Sequence, residues 1–244
     1  MKYGGYSEDL AFIHAEGFEE LAESAAAFLL GKLRAGPSAG GLVIDVGCGS
    51  GRLASRLLDA GYEVLGIDIS EPMVRIARER EPRGTFEVGS FATAELPPCV
   101  AVVSIGECLS YLFDEGAGEE AVRRFVSRAH AALLPGGCLL FDVLENVEKP
   151  EVRQAWRQDE TGEWAVLVAV RGEPGGGLLR REITSFRRVG DLYRRTHEVH
   201  VQRRFDRRWL KSELEKEGFS VRVLRGYGQA RFRTGQVGFL ATKR

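Results

Sequence analysis

The chain is predicted to adopt an α/β fold, a doubly wound sheet of mainly parallel strands, and three observations predict it. Between Leu42 and Val143, short apolar runs alternate with helical stretches, the rhythm of consecutive β/α units. The first of these runs enters a glycine-rich turn, Val43-Ile44-Asp45-Val46-Gly47-Cys48-Gly49-Ser50-Gly51, and a helical pattern follows. After Glu145 the rhythm changes to successive strands with hairpin-like turns, before one helix and two strands close the chain.

Each element follows from its local pattern. Asp9–Leu33 carries Phe12, Phe18, Leu21, Ala25 and Phe28 at helical spacing and predicts one or two amphipathic helices. Gly36-Pro37-Ser38-Ala39-Gly40-Gly41 breaks the chain. Leu42–Val46 then reads as a strand, Gly51–Ala60 as a helix, Tyr62–Ile67 as a strand and Glu71–Arg80 as a helix. Thr85–Val88 and Val100–Ile105 are strands, Glu119–Leu134 is a helix and Gly137–Val143 a strand. Trp164–Arg171, Leu178–Arg188 and Leu192–Arg204 predict three antiparallel strands, turning at Glu173–Gly177 and Val189–Asp191. A helix at Asp206–Glu217, stopped by Gly218, and strands at Phe219–Leu224 and Gln236–Thr242 complete the chain. The expected organisation is one main domain, residues 1–143 and 205–244, with residues 1–36 as a helical lid and an antiparallel insert at 144–204.

Composition fits this size and class. The 244 residues are 44% hydrophobic and 28% charged, ordinary for a soluble globular protein. Apolar runs are strand-length, too short to span a bilayer, and no basic-then-apolar leader precedes Tyr6, Glu8 and Asp9. The expectation is a cytoplasmic protein without membrane association. Cys48, Cys99, Cys108 and Cys138 form no CxxC pair and no zinc-spaced cluster with histidine, so free thiols and no metal site are expected. His197 and His200, three apart on one strand, point to opposite faces.

The net charge of −1 conceals an asymmetry. Arg171–Arg244 carries 19 Lys and Arg against 8 Asp and Glu, while the preceding residues carry 15 against 27. The basic third either faces an anionic substrate or forms solvated strand faces. The balanced total gives a nucleic-acid partner no support. Oligomeric state is left open, a homodimer included.

The glycine loop carries the chemistry. Glycines allow tight turns and let a ligand approach without an intervening Cβ. The spacing is GxGxG, whereas dinucleotide binders use GxGxxG. Asp45 precedes the first glycine by two positions, where it would repel a pyrophosphate but favour an ammonium. The second strand ends in Gly66-Ile67-Asp68-Ile69-Ser70, and an acid there can accept hydrogen bonds from ribose hydroxyls. A nicotinamide dehydrogenase is disfavoured by both the spacing and Asp45.

With these residues in view, VIDVGCGSGRLASRLLDAGYEVLGIDIS resembles the first two motifs of the class I, Rossmann-like S-adenosylmethionine (SAM)-dependent methyltransferases. The likeness continues through Val100–Ile105, Leu134-Pro135-Gly136-Gly137 and the closing GFSVRVLRGYG…GFLATKR, and is strongest to the small-molecule type with an antiparallel insert before the last two strands. It implies a seven-stranded sheet whose last strand is antiparallel. It also implies that Asp45, Gly47, Cys48, Gly49 and Gly51 surround the methionine part of SAM, that Asp68 holds the ribose and that Ile69 lies against adenine. Ile105 and Gly106 would offer carbonyls to the methionine ammonium. Ser90 stands where the family often has an acid for the adenine amine, a departure, with Phe91 beside the base. The function implied is methyl transfer to an N or O atom of a small molecule. RNA or protein methylation, and SAM binding without catalysis, are the alternatives.

Substrate-side candidates follow from position. In open α/β sheets the site lies beyond the carboxyl ends of the strands, which singles out Ser104–Tyr111 after the fourth strand. The Asn/Asp-Pro-Pro-Tyr signature of planar-nitrogen methyltransferases is absent there. Glu107 is a candidate to take a substrate proton or attract an amine, or else to support SAM; Tyr111 lines the pocket or packs on the sheet. Tyr3, Tyr6 and His14 belong to the expected lid. Arg195, His197 and Arg203 share a strand face with Tyr193, Val199 and Val201 and are expected over the pocket, with His197 and Tyr111 as further catalytic candidates and a structural role as the alternative for His197, whereas Arg194, Glu198, His200 and Arg204 read as solvated. Tyr227 and Arg231 are placed within reach of the pocket.

Overall fold

Seven strands pair into one sheet whose central members Leu42–Val46, Cys99–Ser104 and Gln236–Lys243 are apolar and buried almost throughout, whereas the edge strands Thr85–Val88 and Phe219–Leu224 are partly exposed. The computed structural model describes residues 5–34, 40–114, 116–148, 152–173 and 175–244; Tyr3, the Gly36–Ala39 break and Pro174 lie outside them. The sheet strands are β1 (Leu42–Val46), β2 (Glu63–Asp68), β3 (Thr85–Val88), β4 (Cys99–Ser104), β5 (Leu133–Leu144), β10 (Phe219–Leu224) and β13 (Gln236–Lys243). Their order is β10-β13-β5-β4-β1-β2-β3. Only β13 runs against its neighbours, pairing antiparallel with both β5 and β10. The expected seven-stranded doubly wound sheet with a reversed last strand is therefore the fold.

Helices cover both faces. Against one lie α2 (Glu20–Arg34), α3 (Arg52–Asp59) and α4 (Glu71–Arg80), burying Leu29, Leu53, Leu57 and Val74 with Val43 and Val103 of the sheet. Against the other lie α5 (Glu119–Ala132) and α6 (Arg207–Lys216), burying Phe125, Leu210 and Leu214 with Phe141 and Phe239. Each such side chain contributes roughly 1.5–3 kcal/mol on leaving water. Local chemistry starts the helices: the Ser70 hydroxyl accepts from the Met73 amide, and Asp206 accepts from Arg208 and Trp209, each satisfying amides that the first turn leaves unpaired.

The insert is a four-stranded antiparallel sheet, β6 (Val152–Gln158), β7 (Trp164–Gly172), β8 (Leu178–Val189) and β9 (Leu192–Arg203), in sequential order. The sequence predicts three strands. It misses β6 because every β6 residue is exposed on this edge strand, so no apolar alternation marks it. The remaining short strands, β11 (Gly226–Tyr227) and β12 (Ala230–Arg231), form a small hairpin before β13.

The insert leaves the carboxyl end of β5 and returns at α6, so it stands over that edge of the main sheet. Helix α1 (Glu8–Gly17) packs beneath it: Leu10 and Ile13 cluster with Trp164, Val166 and Ile183. Buried Asp9 is held by Arg194 and Arg187, and Ser7 donates to Glu198. Leu112 donates to the Val201 carbonyl at 2.9 Å and ties the loop after β4 to β9. Among the described residues no helix is long and apolar enough to cross a membrane.

Candidate active site

Three adjoining chambers open at the carboxyl edge of the sheet, and Tyr6 and Tyr111 line all three. The first, of about 70 Å³, is walled by Val46, Ile69, Phe91 and Phe113, with Asp68, Ser90 and Asp114 as its polar lining. The second, of about 140 Å³, lies on the glycine loop and is lined by Asp45, Gly47, Cys48, Gly49, Ile105 and Gly106 among others. The third, of about 500 Å³, lies under the insert and reaches Glu107, Gly106 and His14.

The loop after β1 has its shape for reasons visible residue by residue. Gly47 sits at φ 79°, and a Cβ there would collide with Cys108 Sγ. Its amide donates to the Ile67 carbonyl at 2.6 Å, which seats the loop on the end of β2. Gly49, at φ 53°, has nothing within 4 Å of the position its Cβ would take, so its bare backbone faces open space. Gly51 instead lets α3 pack closely, since a Cβ there would meet Ala77. Asp68 accepts from the Gly49 amide at 2.9 Å and the Ser70 amide at 2.8 Å, joining the loops after β1 and β2.

The carboxylates are not equivalent. Asp45 is buried, and its Oδ2 has no partner. Burial, with Asp68 close by, pushes its carboxyl up to about 7. This orphaned acid beside open glycine backbone suits a ligand that brings a cation. Ser90 donates to Asp114, so the acid missing from the loop after β3 is present from another segment. The first chamber's lining, apolar walls with Asp68 and Asp114, suits a nucleoside in its chemistry, and the second chamber's acid and open glycine backbone suit an amino-acid tail, so the residues present suit SAM.

Asp142, at the end of β5, organises the edge. It is fully buried and accepts from the Gly106 amide at 3.0 Å, the Glu107 amide at 2.9 Å, the Tyr227 hydroxyl at 2.8 Å and Gln236 Nε2 at 2.8 Å. Four donors hold this carboxylate as an anion although burial and the Glu107 charge push it up to about 6. Glu107 is thereby held in a left-handed conformation, φ 63°, uncommon for a residue with a side chain. Its carboxylate receives Arg181 at 2.7 Å, Arg233, and Gln202 at 3.3 Å. Burial raises the Glu107 pKa, but the charges of Arg181 and Arg233 outweigh it and the net direction is down.

Several expectations are corrected. Arg195 and His197 lie on the outer face of the insert: both are exposed, and His197 meets Thr184. The face expected in solvent is the inner one. His200 and Arg204 are buried, with His200 against Glu198, Tyr6 and Tyr111. Alternation identifies two faces; long-range partners decide which turns inward. Arg203 pairs with Glu119, away from the chambers. Tyr227 is buried behind the loop as a donor to Asp142 and lines none of the three chambers. Arg231 and His14 do line the third chamber. His14 is buried enough to bring its imidazole down to about 4, and its Nδ1 has no partner.

Reasoning from sequence misses Asp142, Asp114, Arg181 and Arg233. Arg181 is one of five charged residues in β8 and nothing local separates it from the others, and Asp142 gives no signal either, since its donors come from residues 106, 107, 227 and 236.

A seven-stranded sheet with a reversed last strand and a glycine loop at its carboxyl edge is the architecture of class I methyltransferases. A family model described as a methyltransferase domain matches residues 43–137. A protein of Geobacillus sp. (strain WCH70) with a provisional methyltransferase designation is 31% identical over 188 residues, 73% of this chain and 74% of that protein. Among solved structures, a SAM-dependent methyltransferase from Clostridium acetobutylicum superposes with a TM-score of 0.79 at 15% identity, covering 96% of this chain and 97% of that one. A SAM-bound amino pentose methyltransferase from Micromonospora echinaspora gives 0.74 at 22% identity, covering 99% and 98%. The chain belongs to the methyltransferase family, as a class I, Rossmann-like, SAM-dependent enzyme.

Proposed function

We propose that the enzyme transfers the methyl group of SAM to an N or O atom of a small anionic molecule held in the chamber beneath the insert. One observation carries this reading: the large chamber and the glycine-loop chamber meet at Gly106 and Tyr111, and the large one is lined by Arg153, Arg157, Arg181, Arg231 and Arg233 against Glu20 and Glu107. Five arginines against two glutamates give a formal +3, and the enclosure by α1 and the insert favours a small substrate over a macromolecule.

In this reading the open backbone at Gly49 and Gly106 borders the methionine part and Asp45 favours its ammonium. Asp68 receives the ribose, Ile69 and Phe91 flank adenine, and Asp114 takes the adenine amine in place of an acid at Ser90. The insert, residues 144–204, is the substrate side of the site, and its Arg181 joins the two sides by donating to Tyr111 at 3.3 Å. When bound, SAM supplies a methyl already activated on a sulfonium. The protein's task is to hold the acceptor in line and keep water out.

Calorimetry tests the cofactor half. SAM binds the wild type saturably, and Gly49→Val, whose side chain enters space open in the structure, loses or severely weakens binding. Normal affinity in a folded Gly49→Val protein refutes the assignment of the loop.

A further inference from the structure

The third chamber contains a second acid-binding arrangement beyond the one Glu107 occupies. Arg181 and Arg233 converge on the two oxygens of Glu107, one nitrogen of each reaching it. A guanidinium carries five N–H donors in a planar fork. Glu107 and Tyr111 account for two nitrogens of Arg181, and Glu107 for one of Arg233. Both therefore retain donors for another acid, and the side chain of Arg233 is 42% exposed. Arg181 has little freedom: its side chain is 13% exposed and fixed between Glu107 and Tyr111. It thus presents a rigid cation at the junction of the chambers, where Tyr111 also borders the glycine-loop cleft.

The proton-accepting groups around this junction point the same way. Among the described residues lining the chamber at this junction none is suited to take a proton from an acceptor, and Asp45, in the adjoining glycine-loop chamber, is engaged by the SAM ammonium in the reading above. Glu107 is neutralised by two arginines. His14 is an imidazole that burial makes a very weak base, and burial holds the Tyr6 and Tyr111 phenols protonated. His197 is on the far side of the insert sheet, and Glu20 is an exposed residue on the chamber wall. An alkyl alcohol or an ammonium must lose a proton before or during attack. A carboxylate is already anionic at neutral pH and needs no base.

We propose that the methyl acceptor is a carboxylate oxygen: the chamber takes a small carboxylic acid as its anion, held by Arg181 and Arg233, and the product is a methyl ester. In this step a carboxylate lone pair forms the O–C bond to the methyl carbon as the C–S bond breaks. The bonding pair goes to sulfur, the sulfonium becomes a neutral thioether, and no proton moves. Opposite charges are consumed together, a change that surroundings of lower dielectric than bulk water, such as those of buried Arg181, favour. This inference rests on the methyl-transfer reading above, and the fold shared with an amino-sugar methyltransferase does not bring that acceptor with it.

The test uses the intact protein, SAM labelled in its methyl group, and matched panels of small mono-, di- and tricarboxylic acids, primary amines and alcohols. Esters release labelled methanol in alkali; N-methyl and alkyl O-methyl groups do not. The expected result is alkali-labile label from at least one acid, with kcat/KM reduced about 10- to 100-fold in Arg233→Gln, the scale of one lost hydrogen bond to a charged group. Because Arg233 is half-exposed, this variant should fold; Arg181→Lys, which keeps the charge but loses the planar fork, is the second and should lower kcat more than Arg233→Gln does. Melting temperature with bound S-adenosylhomocysteine gives a readout independent of turnover: acids should raise it in the wild type and less in Arg233→Gln. The proposal is overturned if label enters only alkali-stable products, if no acid is esterified or stabilises the protein while SAM binds normally, or if Arg233→Gln handles acids as the wild type does. Absence of SAM binding in calorimetry would instead overturn the methyl-transfer reading.

Discussion

Replacing Glu107 with Gln tests whether this residue is a proton acceptor or the counter-ion of a buried cation. The substitution preserves shape and removes one charge. Arg181 is then left inside the protein, its side chain 13% exposed, whereas Arg233 at 42% can turn to water. Breaking a buried pair by removing one partner costs about 3–5 kcal/mol, mostly from the uncompensated charge. For a chain of this size each kcal/mol moves the melting temperature by about 2–4 °C, so Glu107→Gln should melt roughly 6–20 °C lower. Adding Arg181→Met removes the stranded charge, and the double variant should melt above Glu107→Gln alone. The pH dependence has a defined sign. The Glu107 pKa is depressed in the folded protein, so its stabilisation is full above its ordinary value of 4.5 and is lost as pH falls through the folded pKa. Glu107→Gln should therefore lose less stability than the wild type on acidification below 4.5. Thermal melts of the four proteins in the cycle, at neutral and acidic pH, give both answers. Strictly additive losses, or a Glu107→Gln melt within a degree of wild type, would refute the counter-ion role.

Two further predictions concern the cofactor side. Asp45 lies near neutrality, at about 7, so in the free protein it is largely protonated below that pH and a carboxylate above it. A ligand ammonium prefers the carboxylate; SAM affinity should accordingly rise between pH 6 and 8, with proton release at the lower end, and Asp45→Asn should flatten the profile in calorimetry. A slope unchanged in Asp45→Asn would remove this residue from the binding equilibrium. Asp142→Asn replaces one acceptor oxygen with a donor amide facing two donors, at about 1–3 kcal/mol for each donor left unsatisfied. Both melting temperature and SAM affinity should fall, the latter because Gly106 loses its anchor; a stable variant with wild-type affinity would contradict the positioning role.

What the sequence reveals about this molecule depends on the range of the interactions. The glycine loop was legible because consecutive residues carry its constraint: backbone at φ 79° and 53° calls for Gly47 and Gly49 where they stand. The central parallel strands β4 and β5 were legible for a related reason, since burial on both faces leaves a nearly unbroken apolar run. The insert was harder. An edge strand such as β6 needs no buried side chain, so Val152 and Trp156 read as loop residues. In β9 both faces carry charge, the two valines share the face of His197, and nothing local states that His200 and Gln202 turn inward, because their partners are Tyr6, Tyr111 and Glu107. Asp142 is the limiting case, one acid in an apolar strand whose four donors are supplied by three separate regions of the chain.

The loop after β4 explains why these long-range contacts matter to one reaction. Its backbone and side chains serve different chambers. Gly106 borders the glycine-loop cleft, while the next residue, Glu107, turns its side chain to Arg181 of the insert and to Arg233 in the loop before β13. That divergence requires the left-handed turn at 106 and 107, φ 88° and 63°. For Glu107 the conformation costs energy, and the two amide bonds to Asp142 offset it. Moving Asp142 would therefore displace the backbone on the cofactor side and the Arg181 counter-ion on the substrate side together. In the proposed reading a single buried carboxylate on a rigid sheet strand thus sets the separation between the cofactor and substrate halves of the site, the quantity on which in-line transfer depends most steeply.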